Sequence, residues 1–284
     1  MTRTLFAAGL AACCAVSFGS VADAQAPQPD YAKAMHREHA KDTPAPSPAA
    51  LVAPRQMVTT STVTYATVSG KVIKGFLAKP KTARRNAPAI IVVHEWWGLN
   101  DNIKAIVERY AGEGYTALGV DLYGAVTTSP DSAMKMYQAA MKNGAAGEQN
   151  LAGAIRFLRA QGARSVGSVG YCFGGHWSLR TGLVGGSDVN AVVMYYGAPI
   201  TDPSALARLK APVLGLFGGK DTGIPVDSVR AMERALKTAG KPVTIQVYGE
   251  AGHAFANPTG QAYNQAASDD AWKKSLAFFK THLK

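Results

Sequence analysis

Cysteine is nearly absent: the 284 residues hold three, Cys13, Cys14 and Cys172. The first two lie in an apolar N-terminal stretch. A chain that loses that stretch keeps one thiol and forms no internal disulfide. A lone thiol is either buried and inert or kept for chemistry. Charge is thin as well. Charged residues make up 17% of the chain, against about a quarter in an average globular protein. Acid is the scarcer sign, with 19 Asp and Glu against 30 Lys and Arg, and the formal net charge is +11. That excludes an acidic solvating protein. It does not establish a nucleic-acid binder, because the basic residues form no dense run and no recognition motif accompanies them. No internal repeat is present. At 47% hydrophobic residues the chain is too apolar for disorder, so a sizeable core is expected.

One stretch alone has a membrane-directed character. Arg3 supplies a positive start, Thr4 to Ala22 carries no charge, and Ala22-Asp23-Ala24 fits a small-x-small cleavage pattern. This reads as a signal peptide, residues 1–24, cut before Gln25. A membrane anchor is the alternative, although the Ala, Gly and Ser content makes the run marginal for spanning. Leu10-Ala11-Ala12-Cys13 also resembles a lipoprotein box. The expected location is periplasmic or secreted, with no stable membrane span. Residues 25–56 then read as a tether, since Asp42 to Ala50 is rich in Pro and Ala and should be extended and poorly packed. His36 and His39 could seed a metal site on a helix. In a tether they are read as solvated, and no metal or other cofactor is expected.

Residues 57–284 read as one catalytic domain. Two alternating runs, 57–68 and 71–78, flank Ser69-Gly70 and imply an antiparallel hairpin. Ala89 to Val93 is a continuous apolar run, as in a strand covered on both faces. Further strands are expected at 115–120, 165–171, 189–196, 213–217 and 243–248. Helices are expected at 101–113, 131–142, 148–161, 174–184, 225–240 and 264–283. The repeated strand–helix unit implies an α/β fold with a mostly parallel, doubly wound sheet. Such sheets bind ligands at the carboxyl ends of their strands.

Gly170-Tyr171-Cys172-Phe173-Gly174 stands between an expected strand and an expected helix. It is the G-x-S-x-G nucleophile elbow with sulfur in place of the hydroxyl. A helix N-terminus there favours a thiolate. A thiol needs a base and a group to orient it. On this fold the order is nucleophile, acid, histidine. Asp221 and His253 take those places, each after a later strand. Asp227, inside an expected helix, and His176, one turn into the elbow helix, are poorer rivals. The oxyanion hole needs two backbone N–H groups, expected from Phe173 and from the loop His94-Glu95-Trp96-Trp97-Gly98. His94-Glu95 is not a zinc motif, because position 98 is glycine rather than histidine. Trp96 and Trp97 are expected to wall an apolar pocket.

Taken together, Val93 to Asn100, Asp121-Leu122-Tyr123-Gly124, Gly170 to Gly175, Gly218-Gly219-Lys220-Asp221 and Gly252-His253-Ala254-Phe255 resemble the dienelactone hydrolase (carboxymethylenebutenolidase) family, of α/β-hydrolase fold. The likeness spans about residues 57–284. It implies a hydrolase of small-molecule esters or lactones, with Cys172 as nucleophile, His253 as base, Asp221 as its orienter and Glu95 near the resting thiol. It also implies an oxyanion hole from the N–H groups of Trp96 and Phe173, and a pocket with Trp97, Tyr123 and Phe255. Arginines that hold a substrate carboxylate in that family have no match here. Ala256 and Asn257 stand at one place, Pro130 and Asp131 at the other. The resemblance therefore carries the chemistry further than the dienelactone substrate. An esterase or thioesterase of other specificity, a non-catalytic binding protein and a thiol-redox protein are the alternatives. A monomer is favoured.

Overall fold

A computed structural model describes residues 29–42, 44, 52–82 and 86–284. The expected signal peptide lies outside the described residues, as does most of 43–51. The hairpin β1 (Val58–Val68) and β2 (Lys71–Pro80) is antiparallel, with Val58 opposite Pro80 and Val68 opposite Lys71. The chain then alternates: β3 (Ala89–Val93), β4 (Thr116–Val120), β5 (Val166–Tyr171), β6 (Ala191–Tyr195), β7 (Val213–Gly218) and β8 (Val243–Tyr248). These join the hairpin in one eight-stranded sheet of order β1-β2-β4-β3-β5-β6-β7-β8. β2 pairs antiparallel with β4, and every later pair is parallel. This is the expected α/β architecture.

The parallel centre is apolar because it is covered twice. Every residue of β3, β4, β5, β6 and β7 is buried, whereas β8 at the far edge is only part-buried. Burying each Val, Ile, Leu or Phe in such strands contributes about 1.5–3 kcal/mol. The covering layers are α2 (Asp101–Gly112), α3 (Pro130–Lys142), α4 (Gly144–Ala160), α5 (Phe173–Gly185), α7 (Val226–Thr238) and α8 (Gln265–His282), with a short α6 (Pro203–Leu206). Asn100 caps α2 by accepting from the Ile103 N–H, and Asn264 does the same for α8 from Ala267. Among the described residues no helix is long and apolar enough to cross a membrane.

One element departs from expectation. Within 25–56, residues Pro29–Glu38 form a helix, α1, and Tyr31, Ala34 and Met35 are buried. Their spacing is helical, so one face of α1 is apolar. It packs on the α/β domain at α3, where the rings of Tyr31 and Tyr137 lie 6.0 Å apart. Residues 29–42 are thus packed rather than extended. His39, read from the sequence as solvated, is 1% exposed.

Candidate active site

The thiol is raised by a strained elbow. Cys172 follows β5 at φ 54°, ψ −116°, and α5 begins at the next residue. A non-glycine residue held there costs about 1–3 kcal/mol and persists only if its surroundings enforce it. The neighbouring glycines do so. A Cβ on Gly170 would lie 1.8 Å from the Gly174 carbonyl oxygen, and one on Gly174 would lie 2.3 Å from the Val93 carbonyl oxygen. Both obstacles are backbone and cannot swing aside. Gly174→Ala is therefore expected to lower the melting temperature by about 6–12 °C, equivalent to about 3 kcal/mol in a domain of this size. Calorimetry showing an unchanged melting temperature refutes this packing argument.

Three loops at the carboxyl ends of the strands converge on the sulfur. His253, after β8, places Nε2 3.2 Å from Cys172 Sγ. Its Nδ1–H donates to Asp221 Oδ2 at 2.7 Å. Asp221, after β7, is itself fixed, since its Oδ1 accepts from the N–H groups of Gly223 (2.9 Å) and Ile224 (2.8 Å). Burial pushes the Cys172 thiol up. The charge and hydrogen bond of His253, with those of His39, outweigh burial and bring it down to about 6. Burial disfavours imidazolium at His253, but Asp221 and the thiolate raise it well above its ordinary value. The pair therefore rests toward thiolate and imidazolium. Asp227 sits in the first turn of α7. His176 is buried with Nδ1 on the Ala198 carbonyl, and burial then Arg180 lower it to about 4.

The loop after β3 supplies the remainder. His94 donates from Nδ1 to the Glu95 carbonyl at 2.7 Å and accepts at Nε2 from the Leu122 N–H at 3.1 Å. Both ring nitrogens are used in holding the loop, which leaves neither for a metal. Glu95 is buried, and burial and then the Cys172 charge raise its carboxyl to about 7. It makes no hydrogen bond to Cys172 among the described residues. Tyr196 O–H donates to its Oε1 at 3.3 Å and Asn257 Nδ2–H to its Oε2 at 2.9 Å. Neither partner was singled out from the sequence for this task. Phe173 opens α5, so its N–H is a first-turn donor without an intrahelical partner. Trp96 and Trp97 are fully buried. Tyr123 lies against Phe173, 4.8 Å between ring centres. Phe255 is not at the mouth. It is fully buried among Tyr195, Tyr196 and Tyr248.

The space before the sulfur is filled by α1 and the turn after it. Met35 Sδ lies 3.9 Å and His39 Nε2 3.8 Å from Sγ. The His39 ring stacks on Trp96 at 5.7 Å and meets Trp97 edge-on at 5.8 Å. His39 Nδ1–H donates to Asp42 Oδ2 at 2.7 Å, and Asp42 Oδ1 accepts from the Gln261 N–H at 3.1 Å. His36 and Glu38 tie the helix to Asp131 and Thr222. The thiol is thus 0% exposed, beneath part of the segment 25–56 whose composition reads as a tether.

Comparison with known proteins follows the same boundary. Residues 73–283 match the model of a family described as the dienelactone hydrolase family. A protein named "Putative carboxymethylenebutenolidase" from Methylorubrum extorquens is 35% identical over 211 residues, 69% of this chain and 72% of that protein. Another of that name from Saccharolobus solfataricus is 30% identical over 250 residues, 74% of this chain and 95% of that protein. A crystal structure titled "Putative Dienelactone Hydrolase" from Klebsiella pneumoniae superposes with a TM-score of 0.72 at 26% identity, covering 80% of this chain and 100% of that one. The family match begins after α1, His39 and Asp42.

Proposed function

This chain belongs to the dienelactone hydrolase family and is a hydrolase of ester or lactone bonds, and from that premise we propose that Cys172 is its nucleophile, working through an acyl-thiol intermediate. The observation that carries this reading is the run of contacts from Asp221 through His253 to Cys172, 2.7 Å and 3.2 Å long. The thiolate attacks the carbonyl carbon, and the oxygen charge falls to the N–H groups of Trp96 and Phe173. His253 gives its Nε2 proton to the leaving alcohol. It then takes a proton from the water that opens the thioester, while Asp221 holds the ring. Glu95, fixed by Tyr196 and Asn257, sets the charge beside the thiol. Trp96, Trp97, Tyr137 and Phe173 give the acyl group an aromatic wall. No arginine stands at positions 256 and 257, which favours an uncharged acyl part. Residues 29–42 must lift before substrate enters. Export through residues 1–24 belongs to this proposal and rests on sequence alone.

The test is a panel of activated esters, lactones and thioesters followed from pH 5 to 9. A burst of alcohol release is expected, with turnover of neutral esters. Because the nucleophile is the thiolate, kcat/KM should fall as pH drops through an acid limb displaced from the ordinary thiol value of about 8.5 toward 6. A limb at the ordinary value, or no burst with any ester, overturns the assignment, and the second result describes a binding protein.

A further inference from the structure

Four donors meet in front of the elbow, and hydrolysis uses only two of them. Cys172 Sγ has His253 Nε2 at 3.2 Å, His39 Nε2 at 3.8 Å and Met35 Sδ at 3.9 Å. The three Cys and His ligand atoms all lie within 4.8 Å of one another. Each imidazole is turned inward by a carboxylate on its other nitrogen, Asp221 for His253 and Asp42 for His39, both at 2.7 Å. That is how proteins orient histidine ligands on a metal. Bonds of about 2.0–2.3 Å at a tetrahedral angle separate sulfur and nitrogen ligands by about 3.6 Å, and the two observed S···N distances straddle that value. The four donor residues are at most 1% exposed, so a bound ion would be shielded from water.

We propose that Met35, His39, Cys172 and His253 form a metal site of two sulfur and two nitrogen donors that takes one Cu+ ion while α1 is docked. Sulfur and imidazole donors suit both monovalent copper and zinc, whereas the hard divalent ions want oxygen; the Met35 thioether, which is not among the usual zinc ligands, tips the set toward copper. Copper enters without change of oxidation state. Protons held at Sγ and at the two Nε2 atoms leave to solvent. Two of the four ligands come from α1 and the turn that follows it, outside the family match at 73–283. The site is therefore an addition of this chain to the fold. With copper bound, α1 is tied to the elbow and the thiolate is occupied.

The experiment titrates the full chain with Cu+ under anaerobic conditions against a chromogenic Cu+ chelator. Wild type should bind one equivalent, with two sulfurs and two nitrogens in the X-ray absorption shell. Asp42→Asn, which keeps every donor, should weaken binding about 10–100-fold. His39→Gln should weaken it further. Met35→Leu, which preserves volume, should remove one sulfur from the shell. Equal affinity in wild type and a folded His39→Gln overturns the site, as does failure of the wild type to bind. A site that takes Zn²⁺ in preference to Cu+ overturns the choice of metal. The readout is binding, so it stands apart from the hydrolase reading.

Discussion

Cys172→Ala is expected to fold as the wild type does and to turn over activated esters at least about 10⁴-fold more slowly, the scale on which loss of a nucleophile is felt when the rest of a triad remains. The elbow survives because sulfur does not build it. Its backbone is pinned by Cys172 N–H on the Tyr195 carbonyl at 3.0 Å and by Gly175 N–H on the Cys172 carbonyl at 2.9 Å. The void left by one sulfur costs only about 1 kcal/mol. Turnover falls because His253 then has no thiolate to pair with, and its Nε2 can serve only a water molecule. The oxyanion N–H groups stay in place, which is why a residual rate should remain. Turnover and circular dichroism measured side by side decide the matter. A folded variant with wild-type turnover removes Cys172 from the mechanism and leaves the elbow a structural turn.

The domain was legible because its two strongest signals agree. Ala89 to Val93 and Val213 to Phe217 are apolar runs, buried throughout in the structure, and such runs separated by helical stretches admit little besides a parallel sheet. The chain order of Cys172, Asp221 and His253 follows the strand ends, so their meeting was readable without coordinates. Asn257 and Tyr196 were not readable as partners of Glu95. Their roles depend on side-chain direction across loops far apart in sequence, and nothing in either local pattern marks it. α1 was hidden for a different reason. Tyr31, Ala34, Met35 and His39 recur at helical spacing, which is a signal, but Pro and Ala from Pro44 to Ala50 dominate the composition around them. The partners of His39, Trp96 and Cys172, lie far along the chain, and nothing local points to them.

Removing α1 is expected to expose the thiol. Deletion of residues 1–42 should raise the rate of Cys172 alkylation by iodoacetamide, and kcat/KM for small esters, by about 10²-fold. Three side chains, Tyr31, Ala34 and Met35, are buried by docking. An effect of about 10²-fold corresponds to an open fraction near one in 10² and a docking free energy of about 3 kcal/mol, at about 1.4 kcal/mol per factor of ten. Two single substitutions test the same contact from opposite sides. Met35→Glu buries a charge beside the thiolate. Gly223→Ala sets a Cβ 2.2 Å from Met35 Cε while keeping the N–H that holds Asp221. Acidity gives a third handle. Burial opposes a proton on His39, but the Asp42 hydrogen bond and the Cys172 charge outweigh it and raise the imidazole to about 9. Docking strength tied to that proton is complete below the undocked value of about 6.5 and is lost as pH rises through about 9. Alkylation of the full chain should therefore accelerate across that window more steeply than alkylation of the deletion variant. Equal alkylation rates in the two proteins at neutral pH mean that α1 does not guard the thiol in solution.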